Sequence, residues 1–181
     1  VEIGQVKVGA STQEAISVLE TAFSDLDYKG ANNHPGLLHM YIHLMEMSPY
    51  PEKALKAGDA LTNLVPDAGH LQHMATHIDV LCGHYENVVR RNHIASKADK
   101  KYLNYRGSNT FYTTYVCHNL HFKIYGAMFL GQIKPALEAA NELQNLLSEE
   151  VVRPSADWLE SYYPMKFHVL VRFGMWDEII G

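Results

Sequence analysis

The sequence predicts an all-α protein, a solenoid built from antiparallel helix hairpins. Apolar residues recur at helical spacing along nearly the whole chain, alternating β-branched runs are nearly absent, and similar turns separate successive helices. The chain has 181 residues, of which 47% are apolar, so it is long enough to bury a core. We therefore expect residues 1–181 to form a single helical-repeat segment.

The helices are predicted in order from their capping signals and apolar spacing. Ser11 and Glu14 are spaced as in a capping box, which predicts a first helix from there to about Asp25. Pro35 suits the first turn of the next helix, which is expected to end near Ser48. Further helices are expected at 51–64, 68–82, 86–98, 110–130, 134–148, 156–173 and from 176 onward. The predicted hairpins cover approximately 34–64, 68–98, 110–148 and 156–181.

The turns between helices share a pattern. Gly83, Gly131 and Gly174 are each followed by one spacer, a large apolar residue and then a small or aliphatic residue. These turns resemble those of the tetratricopeptide repeat, in which paired helices stack and the first helix of each pair lines a concave groove. The intervals are 48 residues from Gly83 to Gly131 and 43 from Gly131 to Gly174, against about 34 in the standard repeat. The repeats are therefore elongated. A generic helical bundle is the alternative, although a bundle does not require matching turns.

Composition excludes several partners. The net charge is -5 and only 19% of residues are charged, so no basic field exists for nucleic acid and no polybasic segment for an anionic membrane. No run of about 18 apolar residues exists either. Cys82 and Cys117 are too few for a disulfide framework, which favours a reducing, cytoplasmic setting. Because the chain opens at Val1 and stops at Gly181, where a helix is predicted to begin, we expect flanking repeats outside it.

The eleven histidines follow the predicted hairpins. The residues that anchor the second helices of the predicted hairpins are Ala54, Val88, Ala136 and Ile179. Eleven positions before them stand His43, His77, Tyr125 and His168, and fifteen positions before them stand His39, His73, His121 and Pro164. Residues four apart lie on one face of a helix, so histidines form a stripe on successive first helices.

Paired imidazoles at this spacing indicate a metal site. Neutral imidazole binds zinc, copper or iron, and an i, i+4 pair presents two nitrogens from one rigid face. The predicted ligands of a transition-metal ion are His39, His43, His73, His77 and His121. Glu46 lies on the first stripe and could be a carboxylate ligand, a residue that orients a histidine, or a general base acting on metal-bound water. Tyr125 is a candidate proton donor or anion-stabilising hydroxyl.

The remaining histidines are given other roles. His70 and His118 lie toward the starts of their helices and are expected to be caps or supports for a ligand. The histidines expected to be surface residues or to pack against other helices are His34, His84 and His93. His168 matches by offset but belongs to the next repeat, so its role stays open.

Two histidine segments carry a closer resemblance. His34–His43 reads HPGLLHMYIH and His70–Ile78 reads HLQHMATHI. They are similar to the segments HPGxxHxxIH and HxxHMPxHI of a histidine-rich group of tetratricopeptide-repeat proteins, and VCHNLH at 116–121 is similar as well. The likeness covers most of residues 30–130, with Ala75 in place of a proline. It implies the helical-repeat fold and a histidine-lined site, and it names no reaction.

Two classes of function follow from the sequence. In the first, the concave groove holds one or two transition-metal ions and acts on a small molecule or peptide, as a metal-dependent hydrolase or oxidoreductase. In the second, the groove is an interaction scaffold that binds a peptide or a partner helix without metal. Metal storage or sensing without turnover is a third hypothesis. Neither nucleic acid nor a membrane is an expected partner.

Overall fold

The computed structural model describes residues 9–25 and 30–181, and within these ranges the chain is helical and contains no β-strand. The predicted all-α class is therefore confirmed. The described chain divides into two compact units, Val1–Pro66 with Leu71–His84 and Asp67–His70 with Tyr85–Gly181. The single helical-repeat segment over 1–181 stays a prediction, and residues 1–8 and 26–29 of it lie outside the described ranges.

The first unit is built around α2. Its elements are α1 (Thr12–Ser24), a 3-10 turn (Ala31–Asn33), α2 (Pro35–Glu46), a 3-10 turn (Pro51–Ala54), α3 (Leu55–Leu61), the end of α4 (Gly69–His73) and α5 (Thr76–Leu81). The core consists of apolar side chains from α2 through α5, which include Leu38, Ile42, Met45, Leu61, Met74 and Ile78. Burying residues of this size contributes about 1.5–3 kcal/mol each, so α2 is held on its apolar face.

The second unit is built around α7. Its elements are α6 (Tyr85–Arg106), α7 (Tyr112–Phe129), α8 (Ile133–Leu146), α9 (Glu149–Val152), a 3-10 turn (Arg153–Ser155), α10 (Ala156–Leu159), a 3-10 turn (Glu160–Tyr162), α11 (Met165–Arg172) and α12 (Asp177–Ile180). Helix α7 packs against α6, α8 and α11. Its buried face joins three alanines of α8, and the core residues include Leu120, Ile124, Ala136, Ala139 and Ala140.

Several predicted boundaries differ from the observed ones. Ser11 precedes α1 but its side chain makes no capping hydrogen bond, so the predicted capping box is wrong there. Helix α6 extends to Arg106, well past the expected end at 98. The helix expected at 68–82 is interrupted at Met74 and Ala75, and the one expected at 156–173 is broken by a 3-10 turn. No helix within the described ranges is long and apolar enough to cross a bilayer.

The three glycine turns share one local structure. Gly83, Gly131 and Gly174 have φ of 76°, 69° and 65°, in the left-handed region that glycine adopts without steric cost. In each turn the glycine N–H bonds the carbonyl three residues back, and the next N–H bonds the carbonyl five residues back; the latter distances are 2.8 Å for His84 to Asp79, 2.8 Å for Gln132 to Ala127 and 2.9 Å for Met175 to Leu170. This is the Schellman motif, which satisfies carbonyls left open at a helix end. The turns that match in sequence therefore match in backbone conformation.

Candidate metal centre

Helix α2 carries the first histidine pair. Pro35 occupies the first turn, and Nδ1 of His34 accepts a hydrogen bond from the Leu37 N–H at 3.3 Å, so this exposed histidine caps the helix. Beside the buried face of α2, His39 and His43 lie one turn apart and partly exposed. Their Nε2 atoms are 3.1 Å from each other.

The second pair straddles the interruption between α4 and α5. His73 is the last residue of α4 and His77 lies in the first turn of α5, yet their Nε2 atoms are 2.9 Å apart. The spacing survives because the chain continues in a tight helical turn, with the His77 N–H bonded to the Met74 carbonyl at 3.2 Å. Both imidazoles are buried, and Thr76 Oγ1 lies 3.2 Å from Nδ1 of His73.

Glu46 connects the two pairs. Nδ1–H of His77 donates to Oε1 of Glu46 at 2.7 Å, although the two residues are 31 positions apart in the chain. Oε2 of the same carboxylate faces Nδ1 of His43 at 3.7 Å, within the range of an ion pair. Burial alone would raise the pKa of Glu46, but the imidazoles of His43 and His77 outweigh it and lower that pKa to about 2. Glu46 is therefore an anion that keeps a proton on the Nδ1 atom of His77.

The separations of the Nε2 atoms suit ligation of a metal. Two nitrogens 2.9–3.1 Å apart, each about 2.0–2.1 Å from an ion, subtend an angle of about 90–100° at that ion. Such an angle fits two neighbouring positions of a tetrahedral or octahedral coordination sphere. Burial, followed by the neighbouring His43 and His77, lowers the pKa of His39, which favours the neutral imidazole that a metal requires.

The first unit thus assembles four of the five predicted ligands together with Glu46. The fifth, His121, belongs to the second unit, where its ring lies against Tyr125 and Tyr162 at centroid distances of 4.9 and 5.8 Å. Tyr125 belongs to the same unit, and its hydroxyl lies 2.9 Å from Nδ1 of His168. His168, whose role the sequence leaves open, is therefore a hydrogen-bond partner of the candidate acid Tyr125.

The remaining histidines have the following neighbours within their own units. His70 packs against Tyr115 at a centroid distance of 4.7 Å, and His118 packs against Phe122 at 4.8 Å. His84 is exposed, with Nδ1 3.7 Å from Oδ1 of the buried Asp79. His93 is exposed and lies 3.5 Å from Nζ of Lys123.

Two polar groupings are missing from the sequence prediction. Thr76, beside His73, could have been noticed because a residue three positions away lies on the same helix face. In the second unit, the buried carboxylate of Asp99 accepts hydrogen bonds from the Tyr112 hydroxyl at 2.7 Å and the Asn119 amide at 2.8 Å. No spacing rule predicts this cluster, because its members come from two different helices.

His121 gives the second unit a pH dependence. Burial, and then the nearby His168, lower the pKa of His121 below its ordinary value of 6.5. As pH falls through 6.5, the unfolded chain takes up a proton that the folded state resists, so stability is lost. We expect the melting temperature to decline between pH 7 and pH 5, and the decline to be shallower in His121→Phe, which keeps an aromatic ring but does not titrate.

The matched control for this pH dependence is His84→Phe, in which an exposed histidine is replaced. Its melting temperature should follow the same decline as the parent protein. Equal slopes in His121→Phe and the parent would show that His121 is not the group responsible. Partial desolvation of the His93 ring, and then Lys123, also lower the pKa of His93, so we expect this residue to contribute to the slope that remains.

Fold and site together define an all-helical protein with two histidine pairs and a shared carboxylate in its first unit. Comparisons of the chain with protein-family models, with curated proteins and with solved structures find no match. The resemblance to tetratricopeptide-repeat proteins therefore stays a prediction from the sequence.

Proposed function

We propose that this is a tetratricopeptide-like protein whose first unit binds a transition-metal ion through imidazole Nε2 atoms of the two pairs. The observation that supports this proposal most strongly is the distance between Nε2 atoms within each pair. It is 3.1 Å between His39 and His43 and 2.9 Å between His73 and His77. Two imidazoles a helical turn apart have many rotamers in which their nitrogens do not meet. In both pairs the Nε2 atoms nevertheless lie close together. Metal ligation would require this arrangement in each pair, which supports the proposal.

The repeat architecture is supported by the turns. Three turns of the same sequence pattern have glycine at positive φ and the same pair of backbone hydrogen bonds. A solenoid needs such recurring units, since each hairpin repeats the same reversal of direction.

The donor set favours zinc, copper or iron. Imidazole is a ligand of intermediate softness that suits these ions, whereas calcium and magnesium prefer oxygen. Each pair fills two coordination positions and leaves the others for water or for an atom of a small molecule or peptide. A metal held in this way could polarise a carbonyl or lower the pKa of bound water, which is the basis for proposing a metal-dependent hydrolase. Copper or iron could also change oxidation state, which is the basis for proposing an oxidoreductase.

Glu46 is assigned to orientation in this proposal. Its oxygens face Nδ1 of His77 and Nδ1 of His43, so the carboxylate contacts the ring nitrogen of each histidine that does not bind the metal. Carboxylates that accept from the remote N–H of a metal-binding histidine fix its tautomer and raise its basicity. Of the three roles that the sequence allows, this is the one that the contacts support.

The test is elemental analysis of tag-free protein purified without added metal, followed by dialysis against zinc, copper or iron. We expect bound transition metal in the parent protein and its loss in the double variant His39→Ala/His77→Ala, which removes one ligand of each pair. The control His84→Ala/His93→Ala replaces two exposed histidines and should keep the metal. A parent protein that neither contains nor takes up metal would contradict the proposal and favour the scaffold that binds a peptide or partner helix.

A further inference from the structure

We infer that the first unit holds two metal ions, one on each histidine pair, and that Glu46 positions a ligand of each. This inference rests on the proposed function, because it concerns the number and arrangement of ions at the same cluster. The alternative is one ion shared by all four imidazoles. The two arrangements differ in the direction in which the rings of His43 and His77 point.

The direction of these rings follows from Glu46. His77 turns its Nδ1 to Oε1 at 2.7 Å, and His43 turns its Nδ1 to Oε2 at 3.7 Å. On an imidazole the two nitrogens lie on different sides of the ring, so an Nδ1 atom that faces the carboxylate leaves Nε2 directed elsewhere. The carboxylate lies between the two rings at the level of their Nδ1 atoms, and the Nε2 atoms therefore diverge from it.

Each diverging Nε2 atom meets a partner on its own helical stretch. Nε2 of His43 lies 3.1 Å from Nε2 of His39, and Nε2 of His77 lies 2.9 Å from Nε2 of His73. Each pair is thus closed at its Nε2 atoms, while the pairs meet through Nδ1 and Glu46 and through the rings of His43 and His77, whose centroids are 5.7 Å apart. Ligand atoms that lie within 4.8 Å of one another form separate groups for the two pairs, which favours one ion on each pair.

The two pairs also differ in their surroundings. His73 and His77 are buried, and Nδ1 of His73 lies 3.2 Å from the hydroxyl of Thr76, so both rings have a polar neighbour at Nδ1. His39 and His43 are partly exposed, and Glu46 is the group that faces Nδ1 of His43. We therefore assign a preorganised inner site to His73 and His77, and an outer site, open to solvent, to His39 and His43.

The variant Glu46→Gln is expected to weaken metal binding at the outer site and not at the inner site. A glutamine side chain has one oxygen acceptor, which is expected to stay on the close Nδ1–H of His77, and its NH2 group then faces His43. A donor at this position favours the tautomer of His43 in which Nδ1 accepts and Nε2 carries the proton, which removes the ligating lone pair. We expect zinc affinity at the outer site to fall about 10–100-fold while the inner site keeps its zinc.

The experiment is equilibrium dialysis of the full chain against zinc, with bound zinc counted per protein. The parent is expected to bind two equivalents. The test uses the outer-pair variant His39→Asn/His43→Asn, because replacing two partly exposed residues is expected to leave the fold intact. Far-ultraviolet circular dichroism checks that its helix content is unchanged. It should bind one equivalent, and Glu46→Gln should bind one tightly and one weakly.

Three results would count against some part of this arrangement. One equivalent in the parent that the outer-pair variant abolishes would overturn the two-ion inference and leave the proposed function standing, since that function requires a bound metal ion and does not require two. Two equivalents that both weaken in Glu46→Gln would overturn the separate roles given to the two oxygens. A parent that binds no zinc, copper or iron would instead overturn the proposed function itself.

Discussion

Replacing Gly69 with alanine is expected to destabilise the second unit by about 3 kcal/mol. A Cβ atom at this position would collide with Oδ1 of Asp99 and lie 2.9 Å from the carbonyl oxygen of Ala95. Inserting a methyl group into a filled interior costs about 1–3 kcal/mol. Displacing the Asp99 carboxylate adds a further cost of about 1–3 kcal/mol, because the buried Asn119 and the partly buried Tyr112 that donate to it lose their acceptor.

Those partners explain why Asp99 cannot simply move aside. Its two oxygens accept from Tyr112 and Asn119, both on α7, while Asp99 itself lies on α6. Burial raises the pKa of Asp99, and the hydrogen bonds from Tyr112 and Asn119 act in the opposite direction. If the carboxylate moved, it would lose the hydrogen bonds that offset its burial, and solvent could not replace them because Asp99 is fully buried.

Thermal unfolding measures the effect of Gly69→Ala, with an expected fall in melting temperature of about 10 °C. The matched control is Gly30→Ala, because a Cβ atom there meets none of the described residues within 4 Å and Gly30 has a helical φ of -89°. That variant should unfold within about 2 °C of the parent, since an unstrained surface change costs little. If the two variants unfold alike, Gly69 does not lie against Asp99 in the way described.

The sequence predicted the histidine pairs because helix geometry alone sets them. Residues four apart face the same side of any helix, so His39 with His43 needed no knowledge of the tertiary fold. Glu46 lies three positions after His43, so the same helix geometry predicts that the two are neighbours. Its contact with His77, which lies 31 positions further on, depends on how α2 packs against α5, and the repeating offsets anticipated only that first helices share a groove.

Helix geometry alone does not predict where a helix is interrupted. The spacing of His70, His73 and His77 suggested one continuous helix, whereas α4 ends at His73 and α5 begins at Thr76. A periodic pattern survives such a break when the connecting turn advances the chain by nearly a helical turn. Bonds from His77 and Ile78 to carbonyls three residues back show this tight turn, and apolar spacing cannot reveal it.

An offset also cannot name the neighbours of a residue. His121 occupies the position that His39 and His73 hold in their hairpins, and the sequence therefore grouped the three as ligands. Within the second unit, its ring meets Tyr125 and Tyr162. The aromatic neighbours come from α7 itself and from a short turn that begins at Glu160, and no repeat pattern marks that turn.

Zinc is expected to raise the melting temperature of the parent protein and to have little effect on His39→Ala/His77→Ala. A ligand that binds only the folded state stabilises it by about 2.7 kcal/mol at a free concentration of 100 times its dissociation constant. For a chain of 181 residues, this corresponds to a shift of about 5–10 °C. Differential scanning calorimetry with and without zinc measures the shift.

The quantity to compare between variants is the change in melting temperature that zinc causes, and not the melting temperature itself. Removing the His77 ring leaves Glu46 without its 2.7 Å partner and opens space in the core, so the double variant should be less stable even without metal. His84→Ala/His93→Ala controls for nonspecific binding of zinc to surface histidines and should retain the full shift. A double variant that zinc still stabilises as much as the parent would place the metal elsewhere, because each pair would then have lost a ligand without consequence.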